Sequence, residues 1–410
     1  MRKAKLIFIP VPGIGHLVPI LEFAERLFDR YDQFSVTVLV IPSSFVPDSD
    51  ADTKTLAASS DSRIQYRAKA HAKEAIINLV LPDSTSNSVL VVGLVLDFFC
   101  TAMIDIGKEL GIPSYLFSAS CAAFLSLMFD LPTRHDQAGR EFEESEPESI
   151  IPGYAKPVPT GVLPSFLFNK HGGYLSLLEH ARRFKEVEVF DGMFYFYTIY
   201  PVGSLVSLKG LKILQIDKAE NNEILGWLDQ QPPSSVVFLF FGSLGSFDEP
   251  QVSEIACGLE RREFRFLWSV RKAPAKGEFE ALREYTNLDL EGILPDGFLE
   301  RTKKKGRICG CAPQADALAH VAVGGFVSHC EWNCIFESLW NGVPIATWPI
   351  YSGQQMNAFQ MVKDLGLAVE LKLDYRMGKG KLVMADEIER AVRCVMDGES
   401  EVRLRIKEMA

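Results

Sequence analysis

One stretch near the C-terminal end constrains the fold most, because it sets a helix between two buried strands. Two short apolar runs, Ala322–Ser328 and Val343–Trp348, have the length and composition of strands buried on both faces. Between them, Trp332–Trp340 carries apolar residues at helical spacing, with Gly342 and Pro344 at the helix exit. Strand, helix and strand in this order predict a unit of a parallel sheet.

The same alternation of strand and helix patterns runs through both halves of the chain. It begins with strand patterns at Lys3–Pro10 and Val89–Leu96 and restarts at Ser235–Phe241. Such alternation predicts a parallel, doubly wound sheet, and 410 residues are too many for one ordinary core. We therefore expect an α/β fold of two doubly wound, Rossmann-like domains, comprising residues 1–203 and 204–410.

The region between the two halves follows this pattern less closely. The alternation dissolves from Asp130 to Pro164, where we expect irregular structure. The following residues predict a helix over Tyr174–Val189 and an aromatic strand over Met193–Tyr200. Pro201–Leu214, with two glycines, has the composition of a linker between the two domains.

Charge and hydropathy exclude several classes of protein. The 43 basic and 53 acidic residues give a net charge of −10, which disfavours nucleic acids and anionic membranes as partners. The longest apolar run, Val89–Leu96, has only the length of a strand, and Leu6–Pro12 is too short for a signal peptide. The eight cysteines are spread thinly, as in proteins with reduced thiols. We expect a cytoplasmic protein without a membrane span; nothing in the pattern indicates an oligomeric state.

A cluster of cysteines and one histidine raises the question of a zinc site. Cys309, Cys311, His329, Cys330 and Cys334 all lie within one region. Their C-x-C and C-x-x-x-C spacings differ from the paired C-x-x-C spacing of structural zinc sites. We therefore expect buried thiols and no metal.

Polar side chains accompany the apolar runs of the first stretch. His329 falls where a strand leads into a helix, which is where parallel sheets bind ligands. Asn333 and Glu337 are four residues apart and share one helix face. This set suits a nucleotide diphosphate, with phosphates on backbone N–H groups and imidazole and ribose hydroxyls on the carboxylate. A satisfied core histidine and a solvated glutamate are the alternatives.

The first half contains a second candidate site, formed by His16 and Asp97. His16 follows the first strand pattern at the start of a helix, whose N-terminus disfavours a protonated ring. Asp97 directly follows the strand pattern Val89–Leu96, so both residues belong to the same edge of a parallel sheet. A neutral imidazole oriented by a carboxylate is a general base. Helix capping by either residue is the alternative.

A dinucleotide-binding fingerprint does not fit this loop. Gly13 and Gly15 are followed by Val18 where the fingerprint requires a third small residue. The second strand pattern runs into Ile41 and Pro42, with no acidic residue to hold a ribose. An unrelated Rossmann dehydrogenase is therefore disfavoured.

The stretch from Cys311 to Gln355 resembles the signature box of plant family-one UDP-glycosyltransferases. The runs APQ, VGGFVSHC, WN and GVPIATWPIY stand as that family has them. The resemblance implies the GT-B arrangement, in which the N-terminal domain binds the acceptor and the C-terminal domain binds the UDP-sugar. It also makes His16 the catalytic base and Asp97 its partner. The implied UDP-sugar contacts are Ser243, Cys311, Ala312, Gln314, His329, Trp332, Asn333, Cys334, Glu337 and Gln354.

The implied reaction moves a hexose, glucose by resemblance, from UDP to a hydroxyl group of a small hydrophobic acceptor. The acceptor class is that of flavonoids and other phenolics. The family inverts the anomeric centre in one step, with UDP-glucose as a substrate and without a metal or cofactor.

Three positions of the chain depart from the family pattern. Cys311 stands where the family has tryptophan, Glu331 where it has glycine, and Gly353 where it has an acidic residue; Cys334 in place of a serine is a milder change. The chain is also shorter than the family around residues 67–81 and 185–200, and Ala410 falls inside a helix pattern, before a segment that the family has. A catalytically impaired relative that only binds nucleotide or aglycone is therefore an alternative to an active transferase.

Overall fold

The structure is a computed structural model in which two compact units can be described. One unit comprises Met1–Glu141 and Asn169–Gln215, and the other comprises Phe142–Phe168 and Ile216–Ala410. The described residues are 4–11, 13–41, 62–68, 72–80, 90–138, 142–169, 172–187, 218–242, 245–261, 264–272, 283–351, 353–378 and 380–409. Within them, no helix has both the length and the apolar character that crossing a membrane requires.

The first unit is built on a five-stranded parallel sheet with strand order β3-β2-β1-β4-β5. Its strands are β1 Ala4–Ile9, β2 Phe34–Val40, β3 Ile64–Ala68, β4 Leu90–Asp97 and β5 Ser114–Phe117. Its helices are α1 Ile14–Arg30, α2 Ala72–Val80, α3 Met103–Leu110, α4 Ala122–Ala138 and α5 Gly173–Arg183.

The order of these strands reverses beside β1. Strands β2 and β4 both pair with β1 in parallel, so the chain winds outward in two directions from this central strand. The central strand is buried through Ile7, Phe8 and Ile9. The carboxyl ends of β1 and β4 therefore border a switch point, where doubly wound sheets bind ligands.

The second unit is built on a six-stranded parallel sheet with strand order β12-β9-β8-β13-β14-β15. Its strands, including two short antiparallel pairs, are β6 Glu148–Ser149, β7 Val158–Pro159, β8 Val236–Phe240, β9 Arg265–Ser269, β10 Arg271–Lys272, β11 Arg283–Glu284, β12 Gly306–Cys309, β13 Val323–Ser328, β14 Ile345–Thr347 and β15 Ala368–Glu370. Its helices are α6 Lys218–Leu228, α7 Glu249–Glu260, α8 Asn287–Ile293, α9 Phe298–Thr302, α10 Gln314–Ala319, α11 Trp332–Trp340, α12 Gln354–Phe359, α13 Ala385–Met396 and α14 Glu401–Met409.

This second sheet has its own switch point between β8 and β13. The chain runs from β8 outward through β9 to β12, and then returns to place β13 on the other side of β8. Every residue of β8 and of β13 is buried, as the continuous apolar patterns predicted.

The first residues of the region Asp130–Pro164 differ from the expectation of irregular structure, whereas residues 142–164 contain only two-residue strands and a 3₁₀ turn. The helix α4 continues to Ala138 and contains Pro132, although proline removes a helical hydrogen bond. Leu127, Met128 and Leu131 are buried on this helix, and their burial stabilises it across the proline. By contrast, α5 is shorter than predicted, since it ends at Arg183 and continues as a 3₁₀ turn.

Residues 142–168 belong to the second unit through contacts with its helices and loops. Arg376 donates hydrogen bonds to the carbonyl groups of Gly161, at 3.0 Å, and of Leu163. The backbone N–H of Ala155 donates to Asp364 Oδ2 at 3.1 Å. The predicted strand at 193–200, the linker at 201–214 and the boundary between 203 and 204 lie outside the described residues.

Candidate active site

His16 and Asp97 meet at the switch point of the first sheet. Asp97 is the last residue of β4, and His16 lies in the first turn of α1. His16 Nδ1 lies 2.9 Å from Asp97 Oδ2. The structure therefore brings together the two residues that strand order and sequence position had assigned to one edge.

Asp97 orients the imidazole ring of His16. The carboxylate is only 1% exposed, and its other oxygen accepts a hydrogen bond from Phe99 N at 3.2 Å. An ionised carboxylate can only accept hydrogen bonds, so Nδ1 of His16 donates and Nε2 keeps its lone pair. The His16 side chain is 34% exposed, which leaves this ring accessible to a reacting group.

The start of α1 disfavours a charged ring at His16. Gly13 is the N-cap residue, and no side chain caps the helix there. The partial positive charge of the helix N-terminus therefore acts on the first turn, where a neutral imidazole is favoured over an imidazolium.

His329 lies at the switch point of the second sheet, in the loop from β13 to α11. Its side chain is fully buried, and its Nε2 lies against Gly242, just beyond the end of β8. A Cβ at Gly242 would lie 2.5 Å from that nitrogen, and the backbone there has φ of 78°. Only glycine satisfies both conditions, so Gly242 makes room for His329.

The loop after His329 contains a strained residue. Cys330 has φ of 66°, a left-handed conformation that non-glycine residues rarely adopt. Its N–H donates to Ser328 Oγ at 3.1 Å, and its carbonyl accepts from Asn357 Nδ2 at 3.0 Å. These contacts hold the turn that sets His329 and the start of α11, and sequence periodicity gives no sign of them.

Gln314, Cys334 and Glu337 form one hydrogen-bonded group. Gln314 Nε2 donates to Glu337 Oε2 at 2.5 Å, and Cys334 Sγ lies 3.3 Å from Gln314 Oε1. Burial raises the pKa of Glu337 to about 6, although the hydrogen bond from Gln314 opposes that increase. The carboxylate is therefore largely ionised at neutral pH and able to accept hydrogen bonds from a ligand.

Gln354 combines a satisfied oxygen with an unsatisfied nitrogen. Its Oε1 accepts hydrogen bonds from Ile350 N at 3.0 Å and from Tyr351 N at 3.1 Å. Its Nε2 is buried and has no hydrogen-bond partner among the described residues. Buried donors are normally paired, so this amide is fixed in place with one donor group left for a ligand.

Most of the remaining predicted contacts lie at the starts of helices α11 and α10. Trp332 and Asn333 form the first turn of α11, and both are half-buried. Cys311 is half-buried and Ala312 is fully buried, just before α10. Ser243 lies outside the described residues.

Glu331, one of the three unusual positions, lies at the mouth of this site. Its Oε2 is 3.2 Å from Nε2 of His329, and its side chain is 45% exposed. Glu331 is also the N-cap residue of α11 without a side-chain cap hydrogen bond. Its carboxylate therefore lies beside Nε2 of His329, at the start of α11.

The buried cysteines Cys330 and Cys334 are neutral thiols. All eight cysteines of the chain are free, and burial raises the pKa of Cys330 to about 12 and that of Cys334 well above its usual value. Among the described residues, no group of three or more His, Cys, Asp or Glu side chains has a metal-binding arrangement.

Comparisons with known proteins identify the family. Residues 187–403 match the family model described as UDP-glucoronosyl and UDP-glucosyl transferase. The chain is 45% identical to UDP-glycosyltransferase 71K1 of Malus domestica, over 100% of this chain and 94% of that protein. It is 42% identical to UDP-glucose flavonoid 3-O-glucosyltransferase 6 of Fragaria ananassa, over 100% and 94% respectively.

A solved structure shares the same fold. The crystal structure of Medicago truncatula UGT71G1 complexed with UDP-glucose has a TM-score of 0.84 and 40% sequence identity, covering 99% of this chain and 93% of that one. This likeness confirms the α/β, GT-B fold class expected from the sequence. The chain therefore belongs to the UDP-glucoronosyl and UDP-glucosyl transferase family and is a plant family-one UDP-glycosyltransferase.

Proposed function

We propose that this enzyme transfers glucose from UDP-glucose to a hydroxyl group of a small phenolic acceptor such as a flavonoid, with inversion at the anomeric carbon. The observation that carries the proposal is the contact of 2.9 Å between His16 Nδ1 and Asp97 Oδ2 at a sheet switch point. The flavonoid glucosyltransferase of Fragaria ananassa, 42% identical, supports this acceptor class.

His16 is the general base in this proposal. Its Nε2 takes the phenolic proton while the phenol oxygen attacks the anomeric carbon. The new carbon–oxygen bond forms as the bond from that carbon to the β-phosphate oxygen breaks, and UDP leaves with the electron pair. Asp97 stabilises the imidazolium that results, because its buried carboxylate already accepts the hydrogen bond from Nδ1.

The second unit supplies the contacts to UDP-glucose. The diphosphate binds at the N-terminus of α11 beside His329, with Trp332, Asn333 and Cys334 in the first turn of the helix, and the family resemblance assigns it a further contact with Ser243. The carboxylate of Glu337 accepts hydrogen bonds from the ribose. The uracil lies by Cys311, Ala312 and Gln314, and the unpaired Nε2 of Gln354 donates to a hexose hydroxyl.

This assignment places acceptor binding mainly within residues 1–203 and donor binding mainly within 204–410. UDP-glucose is a substrate, and the proposed steps use no further cofactor. The eight free cysteines support a reducing compartment, the cytoplasm, as the location. We favour transfer over the binding-only alternative because the base and its carboxylate are already in hydrogen-bond contact.

UDP release in the presence of phenolic acceptors tests the proposal. His16→Ala is expected to lower kcat by roughly 10²- to 10⁴-fold, the contribution of a general base. Binding of UDP, measured by titration calorimetry, should be unchanged because His16 belongs to the other unit. Full activity of His16→Ala, or the absence of UDP release with every phenol tested, would contradict the proposal.

A further inference from the structure

Residues 142–168, here called the strap, pack against the helix that carries Gln354. The 3₁₀ turn Thr160–Val162 of the strap lies against α12. The ring of Tyr154 lies 6.2 Å from that of Phe359, the last residue of the same helix. The strap therefore restrains the position of α12, although it is distant from this helix in sequence.

Arg376 ties the strap to the segment that follows β15. Its guanidinium group donates hydrogen bonds to the carbonyl oxygen of Gly161, at 3.0 Å, and to that of Leu163. Arg376 is half-buried, and a charged donor makes stronger hydrogen bonds than a neutral one. Both acceptors are backbone atoms, so these bonds hold the backbone of the strap at a fixed place relative to Arg376.

The residue after Arg376 holds the loop in front of Gln354. The backbone N–H of Met377 donates to the carbonyl oxygen of Ile350 at 2.8 Å. The backbone N–H of Ile350 in turn donates to Oε1 of Gln354 at 3.0 Å. One residue therefore connects the backbone beside Arg376 to the side-chain amide of Gln354.

The residue before Arg376 holds the other side of Gln354. The carbonyl oxygen of Tyr375 accepts a hydrogen bond of 2.8 Å from Nε2 of Gln355, a fully buried side chain. The ring of Tyr375 packs edge to face on the buried ring of Trp348, at 5.9 Å. The segment 375–377 therefore contacts the residues on both sides of the Gln354 amide.

The orientation of the Gln354 amide depends on these contacts. Its Nε2 is buried and has no hydrogen-bond partner among the described residues, so only its Oε1 bonds and the surrounding backbone direct it. Hydrogen bonds weaken steeply as their geometry departs from the preferred distance and angle. A shift of the segment 375–377 would therefore weaken any bond that Nε2 donates to a ligand.

We propose that Arg376 is a positioning residue for the donor sugar, because its hydrogen bonds to the strap fix the segment 375–377 and, through it, the Gln354 amide that donates to a hexose hydroxyl. The inference rests on the proposed function for the role of Gln354. Arg376 acts through Gln354 and is not a catalytic residue. It sets the affinity that the hexose adds to UDP and leaves the affinity for UDP itself unchanged.

Titration calorimetry of UDP-glucose and of UDP tests this role. Arg376→Met keeps an unbranched side chain and removes both donated hydrogen bonds. It should raise Kd for UDP-glucose roughly 3- to 10-fold, the contribution of one hydrogen bond, and leave Kd for UDP unchanged. In turnover with a phenolic acceptor, KM for UDP-glucose should rise by the same factor with kcat retained. Arg307→Met is a matched control, since Arg307 pairs with Glu223 at 2.8 Å elsewhere in the unit, and it should change neither Kd.

A double-mutant cycle separates positioning from a general structural role. Gln354→Ala leaves no amide to position, so adding Arg376→Met in that background should not weaken UDP-glucose binding further. A general loosening of the donor site would weaken it further in both backgrounds. Such a further loss, an equal rise in Kd for UDP and UDP-glucose, or the same pattern in Arg307→Met would overturn the proposal.

A second substitution keeps the test valid if Arg376→Met melts at a much lower temperature than the parent. Arg376→Gln then replaces it, because a shorter amide cannot reach both carbonyl groups of the strap as the guanidinium group does. It should raise Kd for UDP-glucose and leave Kd for UDP unchanged. A Kd for UDP-glucose equal to that of the parent would refute the role of Arg376.

The calorimetric measurements need no acceptor, so this inference and the proposed function can fail separately. If Arg376→Met loses affinity for UDP-glucose alone but no phenol supports UDP release by the parent, the positioning role stands and the transfer proposal fails. If the parent releases UDP normally and Arg376→Met leaves both Kd values unchanged, the transfer proposal stands and the positioning role fails.

Discussion

Replacing Glu331 is expected to tighten the binding of UDP. The carboxylate oxygen lies 3.2 Å from Nε2 of His329, so a phosphate on that nitrogen would bring two negative charges to within about 4 Å of each other. Such a pair costs about 1 kcal/mol in bulk water and about 4 kcal/mol at an effective dielectric constant near 20. Because the Glu331 side chain is 45% exposed, screening reduces the cost to about 1–2 kcal/mol.

Titration calorimetry of UDP measures this effect. A cost of 1–2 kcal/mol corresponds to roughly 5- to 30-fold tighter binding by Glu331→Gln, which keeps the size of the side chain. Glu331→Gly should tighten UDP binding by a similar factor, since glycine is tolerated at an N-cap position. The gain should shrink with increasing salt, because the repulsion acts partly through solvent.

A surface glutamate of the same unit provides the control. Glu370 pairs with Lys363 at 2.6 Å, and Glu370→Gln changes the net charge by the same amount. UDP affinity should not respond to Glu370→Gln. An unchanged affinity in Glu331→Gln, or an equal gain in both variants, would refute the reasoning that Glu331 competes at the phosphate position.

Three further predictions follow from the second unit. Burial raises the pKa of Glu337 from 4.5 to about 6, so the contribution of this carboxyl group to stability is lost as pH rises through 6. In thermal melts, Glu337→Gln should therefore be about 2 kcal/mol more stable than the parent at pH 7, with no such gain near pH 4. By calorimetry, the same variant should bind UDP-glucose more weakly. Arg403 donates to the carbonyl groups of Gly324, Val395 and Asp397, so Arg403→Met should cost about 3 kcal/mol in urea unfolding, and a loss below about 0.5 kcal/mol would contradict this role. Cys311→Trp should tighten UDP binding by about 1–3 kcal/mol through base stacking, and an unchanged Kd would show that position 311 does not meet the uracil.

The elements that the sequence predicted best are those with strong periodic patterns. Helix Trp332–Trp340 has the predicted bounds, and strands β1 and β8 begin and end within one residue of the predicted runs Lys3–Pro10 and Ser235–Phe241. The meeting of His16 and Asp97 was also predictable, because parallel strands that alternate with helices bring the ends of β1 and β4 to one edge.

Other features depend on tertiary contacts that periodicity does not encode. The left-handed backbone of Cys330 and the close approach of Gly242 to His329 are set by neighbours distant in sequence. The continuation of α4 through Pro132 depends on burial that outweighs a poor local propensity. The proximity of His180 to Phe99 joins residues 81 positions apart, and no short motif carries it.

The turn after β4 couples the position of an exposed aromatic ring to the orientation of the proposed base. The backbone N–H of Phe99 donates to one oxygen of Asp97 while the other oxygen contacts His16, so one short piece of backbone sets both the exposed ring of Phe99 and the orientation of the base. Substitutions at Phe99 that shift this turn would therefore disturb proton transfer. His180 lies on a separate helix and shares no hydrogen bond with Asp97 among the described residues. Substitutions at position 180 are therefore expected to leave the contact between Asp97 and His16 in place.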